Sequence, residues 1–209
     1  MDQDLLQDFE GYEKLLGTLC RRWTPSQRTA FVSALAERWL PLYTRFSEAE
    51  DWGDPDPLRK ALDAAWAHLA GETMDAPMLA QLAQGVIDVV PSMDDFDAVE
   101  PITASHLVGL AVQSCCPQTD WQAVIEAAGA AYSAVAEPVD GYPLNPNASR
   151  TMWRQRAVQA EISQQFRLMQ QVTSVPTINR SVAEALRRAI RAEPGAAADG
   201  GGESAFRDV

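Results

Sequence analysis

The 209-residue chain is 46% hydrophobic and has a net charge of −12, from 17 basic and 29 acidic residues. A chain of this size can bury a substantial core in one domain, and its acidity disfavours nucleic-acid binding, which usually needs a net basic domain. The longest uncharged stretch, residues 101–119, contains several polar side chains, so it predicts a core helix and not a membrane span.

Apolar residues recur at helical spacing from one end of the chain to the other, and alternating strand-like patterns are nearly absent. A first apolar stripe covers residues 5–19. Thr24, Pro25 and Gln27 are typical of a helix start, with a capping threonine, a first-turn proline and a glutamine that completes a capping box. Pro41 lies within the next stripe and predicts a kink or a break, because proline removes a backbone donor.

Six further helices are predicted over residues 56–71, 77–89, 101–116 and 121–135, then after Asn147 and after Pro176. The segment from Glu137 to Asn147 contains three prolines and a glycine, which is the strongest internal break. We therefore predict an all-α fold, a single-domain bundle of about seven to eight helices over residues 1–193. The low-complexity tail, residues 194–209, is predicted to be disordered.

Charge is distributed unevenly along the chain. Residues 48–100 hold 13 acidic and 2 basic residues, whereas residues 150–191 hold eight arginines and two glutamates. The arginine-rich segment is interpreted as a surface that pairs with the acidic half, and anion binding is the alternative. Arginines beside an aromatic ring also suit phosphates and stacked bases, but the acidic pI makes nucleic-acid binding the weaker interpretation. The residues concerned are Arg150, Arg154, Arg156 and Arg167, with Trp153.

Three aspartates, Asp94, Asp95 and Asp97, lie close together in the sequence. Clustered carboxylates can hold Mg²⁺ or Ca²⁺, but this spacing lacks the glycine and the distant glutamate of a calcium loop. The alternative is a helix start, where carboxylates cap free amides and favour the helix dipole. A metal-binding or enzymatic site built from these three aspartates and His106 is therefore the second functional hypothesis.

The three cysteines are too few and too irregularly spaced for a disulfide framework or a zinc site. Cys115 and Cys116 end an apolar helix and are interpreted as small core residues. Neither histidine has a partner at zinc-site spacing. The sequence accordingly predicts no cofactor and no structural metal.

Trp52 differs from the tryptophans that lie on helical stripes, because it belongs to an acidic loop together with Gly53 and Asp54. An aromatic side chain in such a loop can anchor a protein partner or fold back over the bundle. We include Trp52 and Asp54 among the candidate partner-binding residues for this reason.

A series of motifs between residues 20 and 170 resembles one bacterial family. The motifs are Glu37-Arg38-x-x-Pro41-x-Tyr43-x-x-Phe46, Leu62 with Trp66, Pro91-Ser92-x-Asp94-Asp95-Phe96-Asp97, Pro101-Ile102-x-Ala104, and Asn145-Pro146 ahead of a tryptophan-bearing helix. In this order they resemble the YjaG-like proteins, an all-helical family of unknown function. The resemblance implies the same fold and supplies no catalytic residue, since none is established. The arginine-rich helix departs from the family, whose members are longer and more acidic there.

The sequence favours a non-catalytic protein that binds or sequesters a basic protein partner through an acidic helical surface, as an immunity protein or a regulator does. Fast association that weakens with salt is expected of such a surface. The acidic N-terminus lacks the features of a secretory signal, so we expect a cytoplasmic location. The many apolar stripes are also compatible with a homodimer. The candidate partner-binding residues are Trp52, Asp54, Asp94, Asp95 and Asp97.

Overall fold

A computed structural model describes residues 8–94, 96, 98–116, 120–137 and 146–192. The described residues form nine α-helices and no strand, which confirms the predicted all-α, single-domain fold. The arginine-rich segment divides into two helices at Arg154 and Gln155, so the count slightly exceeds the prediction. The helices are α1 (Phe9–Cys20), α2 (Pro25–Glu50), α3 (Pro55–Leu69), α4 (Ala76–Ile87), α5 (Val99–Ser114), α6 (Gln122–Val135), α7 (Pro146–Trp153), α8 (Arg156–Thr173) and α9 (Arg180–Ala192).

Two predictions fall wholly or largely on residues outside this description. The tail at 194–209 is one, and the Pro-rich break between Glu137 and Asn147 is the other. None of the described helices is both long and apolar enough to cross a membrane.

The start of α2 follows the predicted capping box. The Thr24 hydroxyl accepts a hydrogen bond from the Gln27 amide, and the Gln27 side chain accepts one from the Thr24 amide. The Gln27 side-chain nitrogen also donates to the carbonyls of Val172 and Val175, 3.1 and 2.8 Å away. The cap therefore also holds the end of α8 against α2.

A break at Pro41 is not observed, and that part of the prediction is wrong, because α2 is one helix from Pro25 to Glu50. Proline costs a helix one backbone hydrogen bond and a steric clash, but tertiary packing can override this local preference. Trp39, Leu40 and Tyr43 on both sides of Pro41 are buried, so the core holds this part of the helix in place.

The core is built around α2 and α5, which pack along much of their lengths. Buried apolar residues include Phe31 and Leu35 of α2 and Leu107 and Ala111 of α5. Five helices pack against this pair, with α3 and α9 on one side of α2, α8 on another, α4 against α5 and α6 against both, while α1 packs on α6 and α7 on α8. Glu37, near the middle of α2, is consequently buried inside the molecule.

Candidate functional site

Two of the segments predicted to bind a partner meet at one corner of the molecule. The ring of Trp52, in the loop after α2, lies 5.2 Å from the ring of Phe96, in the connection between α4 and α5. Both rings also contact Phe46 of α2, at 6.0 and 5.2 Å between centroids. Trp52 is half-buried in this contact, so it folds back onto the bundle while part of it stays exposed.

Tyr43 fixes the position of this corner. Its buried hydroxyl donates a 2.6 Å hydrogen bond to the carbonyl of Val89, which ties the α4–α5 connection to α2. A Cβ atom at Gly53 would lie only 2.6 Å from the Tyr43 hydroxyl oxygen, and Gly53 has a φ of +78°. Glycine is needed here both for the space and for the left-handed backbone.

The aspartates predicted to bind a partner differ in their structural surroundings. Asp54 is exposed and caps α3, with a side-chain oxygen that accepts a 2.9 Å hydrogen bond from the Asp56 amide. Asp94 is also exposed, and its backbone amide donates to the Ser92 hydroxyl. Asp95 and Asp97 lie outside the described residues.

The helix α5 begins at Val99, and its N-cap residue, Ala98, has no polar side chain with which to cap it. The interpretation of the aspartates as a helix cap stays a prediction, because Asp95 and Asp97 lie outside the described residues. His106 lies farther along α5 and is exposed, with its Nε2 atom 3.2 Å from the Glu126 carboxylate of α6. Within the described ranges, no three His, Cys, Asp or Glu side chains come close enough together to hold a metal ion.

An open groove of about 840 Å³ lies between α3 and α4. Four aspartates line it, together with Arg59, Lys60 and several polar side chains. Large apolar side chains are unusually exposed on α4 and on the connection to α5, among them Ile87 at 62% and Met93 at 59%. The aspartates are Asp54, Asp56, Asp63 and Asp88. The groove therefore ends at Asp88, next in the chain to the segment that carries these exposed apolar side chains.

Sequence reasoning missed a buried carboxylate in the middle of α2. The side chain of Glu37 is 1% exposed. Its Oε1 atom accepts hydrogen bonds from Arg59 and Arg191, both at 2.7 Å, and its Oε2 atom accepts from Trp66 at 2.9 Å and Arg187 at 3.1 Å. Each oxygen thus has one donor from α3 and one from α9. The adjacent Glu37-Arg38 charges within an apolar stripe were the signal that could have pointed to this site.

Asp63 of α3 extends this cluster to the surface. Its carboxylate, 49% exposed, accepts a short hydrogen bond from Arg187 and lies 3.7 Å from Arg59 and 3.9 Å from Arg191. The guanidinium of Arg187 also lies 5.9 Å from the centre of the Trp66 ring, within cation–π range. The same aspartate lines the α3–α4 groove, so the groove and the Glu37 cluster are contiguous.

Glu37 is expected to make stability depend on acidic pH. Burial raises the pKa of its carboxyl, but the hydrogen bonds and charges of Arg191, Arg59 and Arg187 outweigh burial and hold the pKa below its usual 4.5. A carboxyl with a lowered folded-state pKa stabilises the protein above its unfolded-state pKa and loses that effect as the pH falls through the folded-state value.

Urea unfolding of the wild type and of Glu37→Gln should therefore differ most near neutral pH, and the difference should shrink as the pH falls below about 4.5. A difference that stays constant with pH would show that Glu37 carries no such charge-dependent contribution.

Arg38, the next residue, forms a second buried ion pair on another side of α2. Its guanidinium donates two hydrogen bonds to the Glu161 carboxylate of α8, at 3.0 and 3.3 Å, and the two side chains are 6% and 1% exposed. Glu161 also accepts from Gln165, which in turn accepts from the Tyr12 hydroxyl. Burial and the nearby Glu161 charge raise the pKa of Tyr12, so this hydroxyl stays a donor.

The arginine-rich segment behaves in two ways. In α9, Arg180 pairs with Glu72, and Arg187 and Arg191 pair with Asp63, as expected for contacts with the acidic half of the chain. The arginines of α7 and α8 that were considered for phosphate binding are exposed and make no ion pair with another described residue. Among the described residues, intramolecular pairing therefore accounts for Arg180, Arg187 and Arg191 of α9, but not for the exposed arginines of α7 and α8.

Two of the three cysteines, Cys20 and Cys115, are buried, and burial disfavours ionisation of their thiols. Burial raises the pKa of Cys20 to about 11, and burial with the neighbouring Cys116 raises that of Cys115 to about 12. A thiol must ionise before it can attack or bind a metal tightly. Both cysteines therefore serve as small core residues.

Comparison with known families identifies the family of this chain. Residues 19–196 match the family described as Protein of unknown function (DUF416). The chain belongs to the DUF416 family. A crystal structure of a DUF416 family protein from Shewanella baltica OS155 is similar in fold, with a TM-score of 0.74 and 21% identity. The alignment covers 84% of this chain and 92% of the Shewanella chain.

No curated protein matches the sequence. The DUF416 assignment agrees with the predicted membership of a family of unknown function, whereas the narrower YjaG-like assignment stays a prediction. At 21% identity, the Shewanella protein shows the fold that DUF416 members share, and it assigns no residue a role.

Proposed function

We propose that this chain is a non-catalytic, cytoplasmic binding protein that binds or sequesters a basic protein partner. We define its acidic surface as the α3–α4 groove together with the connection between α4 and α5. The observation that carries the proposal is the composition of that surface: four aspartates line the groove, and the chain segment around its last lining residue, Asp88, carries exposed Ile87, Val90, Met93 and Asp94.

The apolar component supplies affinity and the acidic component supplies selectivity. Contiguous exposed apolar groups with a polar rim are typical of protein interaction sites. A surface of this composition suits an amphipathic helix whose basic residues meet the groove aspartates and whose apolar residues contact Ile87 and Met93 beyond the groove. Opposite charges speed the encounter and exclude acidic competitors. The same charge disfavours nucleic acid as the partner.

The half-buried Trp52 supports the acidic surface from beneath. Its contacts with Phe46 and Phe96 hold the α4–α5 connection against α2. These contacts therefore fix the position of the exposed residues of that connection. A preformed surface loses less conformational freedom on binding than a mobile loop does. Trp52 and Asp54 therefore contribute through the position of the surface as well as through direct contact.

The test is an affinity capture from a lysate of the source organism at low and at moderate salt, with the captured proteins identified by mass spectrometry. We expect one basic protein at a stoichiometric level, with less captured at moderate salt because ions screen exposed charges. The double variant Asp88→Lys with Asp94→Lys should lose most of the capture, since both aspartates are exposed on the acidic surface.

The matched control is Glu13→Lys with Glu48→Lys, which makes the same change in net charge at exposed positions of α1 and α2. This control should capture the partner as the wild type does. Equal capture by both double variants, or capture that does not change with salt, would refute the acidic surface as the binding site. Self-association that disappears with Ile87→Asp would instead identify a second copy as the occupant.

A further inference from the structure

The helix α9 is held by a few apolar contacts with the core and by two arginines. Only Ala183 and Ile190 are buried among its residues, whereas Val182 and Leu186 are half-buried. Arg187 and Arg191, four positions apart, lie on the same side of the helix and both reach Glu37 and Asp63. An isolated helix of 13 residues is marginally stable in water, so α9 depends on these contacts for its structure.

The Glu37 carboxylate stays hydrogen-bonded even when the two donors from α9 are removed. If α9 moves away, Oε1 keeps the 2.7 Å hydrogen bond from Arg59, and Oε2 keeps the 2.9 Å bond from Trp66. Both of these donors belong to α3. A buried carboxylate that loses every partner is strongly destabilising, but here one donor remains on each oxygen.

The position that α9 occupies is also reachable from the surface. Asp63 is 49% exposed and Arg191 is 49% exposed, and Asp63 lines the open α3–α4 groove. An incoming guanidinium can therefore engage Asp63 before α9 has left. This is the condition for one helix to displace another stepwise.

We propose that the α9 site, formed by Glu37, Asp63 and Trp66, is an arginine-recognition site for an amphipathic helix of a protein partner. The helix carries two arginines four residues apart and displaces α9. One arginine takes the Oε2 position of Glu37 and lies near Trp66, as Arg187 does, and the other takes the Oε1 position, as Arg191 does. The α9 helix is then the resident occupant of a site that a partner can use.

This proposal goes beyond the proposed function and does not depend on it. The acidic surface could bind its partner while α9 stays in place, and the α9 site could accept a helix while the acidic surface binds nothing. A peptide with the sequence of residues 176–192 serves as the probe, because its arginines already fit the site. Failure of the lysate capture would leave the outcome of the peptide experiment unaffected.

The experiment measures binding of the labelled peptide to the full chain by fluorescence anisotropy. In the wild type, the chain's own α9 competes with the peptide for the α9 site. The apparent Kd of the peptide therefore equals its intrinsic Kd divided by the fraction of chains in which α9 has left the site. The full-chain variant Arg187→Gln with Arg191→Gln weakens its own α9 and should bind the peptide at least about tenfold more tightly. Adding Asp63→Asn to that variant should reverse much of the gain.

Two controls make the result specific. A peptide in which both arginines are glutamine should bind the Arg187→Gln, Arg191→Gln chain about tenfold more weakly, because it loses its charged hydrogen bonds. The chain variant Arg156→Gln with Arg167→Gln removes the same charge from exposed positions on α8 and should behave as the wild type. Equal binding of both peptides to every chain would overturn the proposal.

Hydrogen exchange of the wild-type chain provides a test that needs no variant. Amides of residues 183–192 should exchange through local opening of α9, faster than the buried amides of α2. If they exchange only together with α2, α9 does not leave its site and the proposal is overturned. If the chain is a dimer that the peptide converts to monomers, α9 of a second copy is the occupant and the assignment to a partner is overturned.

Discussion

Replacing Arg38 with leucine is expected to lower the free energy of unfolding by about 3–5 kcal/mol. The change leaves the Glu161 carboxylate, 1% exposed, without its charged partner. Gln165 alone would then donate to it, and a neutral donor does not compensate a buried charge. Urea unfolding followed by circular dichroism at neutral pH measures the loss.

The control is Arg45→Leu, which removes an exposed arginine from the same helix and should change stability by no more than about 0.5 kcal/mol. The double variant Arg38→Leu with Glu161→Leu should recover part of the loss, because replacing a whole buried pair costs less than breaking it. If Arg38→Leu were as stable as Arg45→Leu, the ion pair would not be formed in the folded protein.

Replacing Glu37 with glutamine is expected to cost about 3 kcal/mol, the lower end of the range for a broken buried ion pair. The value lies at the lower end because Arg59, Arg187 and Arg191 are 34%, 21% and 49% exposed and can turn partly to water. The amide nitrogen of the introduced glutamine is itself a hydrogen-bond donor. It would face donors that now bind the carboxylate and would have no acceptor among them. Thermal and urea unfolding at neutral pH should both show the loss.

Glu48→Gln is the matched control, since Glu48 is an exposed glutamate of the same helix. Its effect should stay within about 0.5 kcal/mol. Hydrogen exchange on Glu37→Gln should show its largest increase in α9, because the two ion pairs of Arg187 and Arg191 with Glu37 are lost, out of five that the α9 arginines make with acids of the described residues. An increase confined to α3 would mean that α9 is held by other contacts.

The helices could be predicted because their signals are local. The capping box at Thr24 and Gln27 depends on residues three positions apart, and the structure forms it as expected. Pro41 shows the limit of such signals. Its effect on the backbone is local, but the continuity of α2 depends on Trp39, Leu40 and Tyr43 packing against distant helices.

The two charged clusters could not be predicted because their members are far apart in sequence. Glu37 meets Arg59, Arg187 and Arg191 across 22, 150 and 154 positions. The contact of Trp52 with Phe96 is likewise set by how α2 and the α4–α5 connection pack, and not by either local sequence. Sequence indicated the acidic residues as candidates, but only the fold shows which of them share a surface.

The neighbouring charges of Glu37 and Arg38 also restrict how α2 can rotate about its own axis. Successive residues of a helix point about 100° apart, so the two side chains meet different sets of helices. A rotation by one residue would turn Arg38 toward the three arginines of α3 and α9, or Glu37 toward Glu161. Apolar side chains tolerate such shifts, whereas like charges in a dry interior do not. The pair therefore defines a single angular setting for the central helix of the bundle.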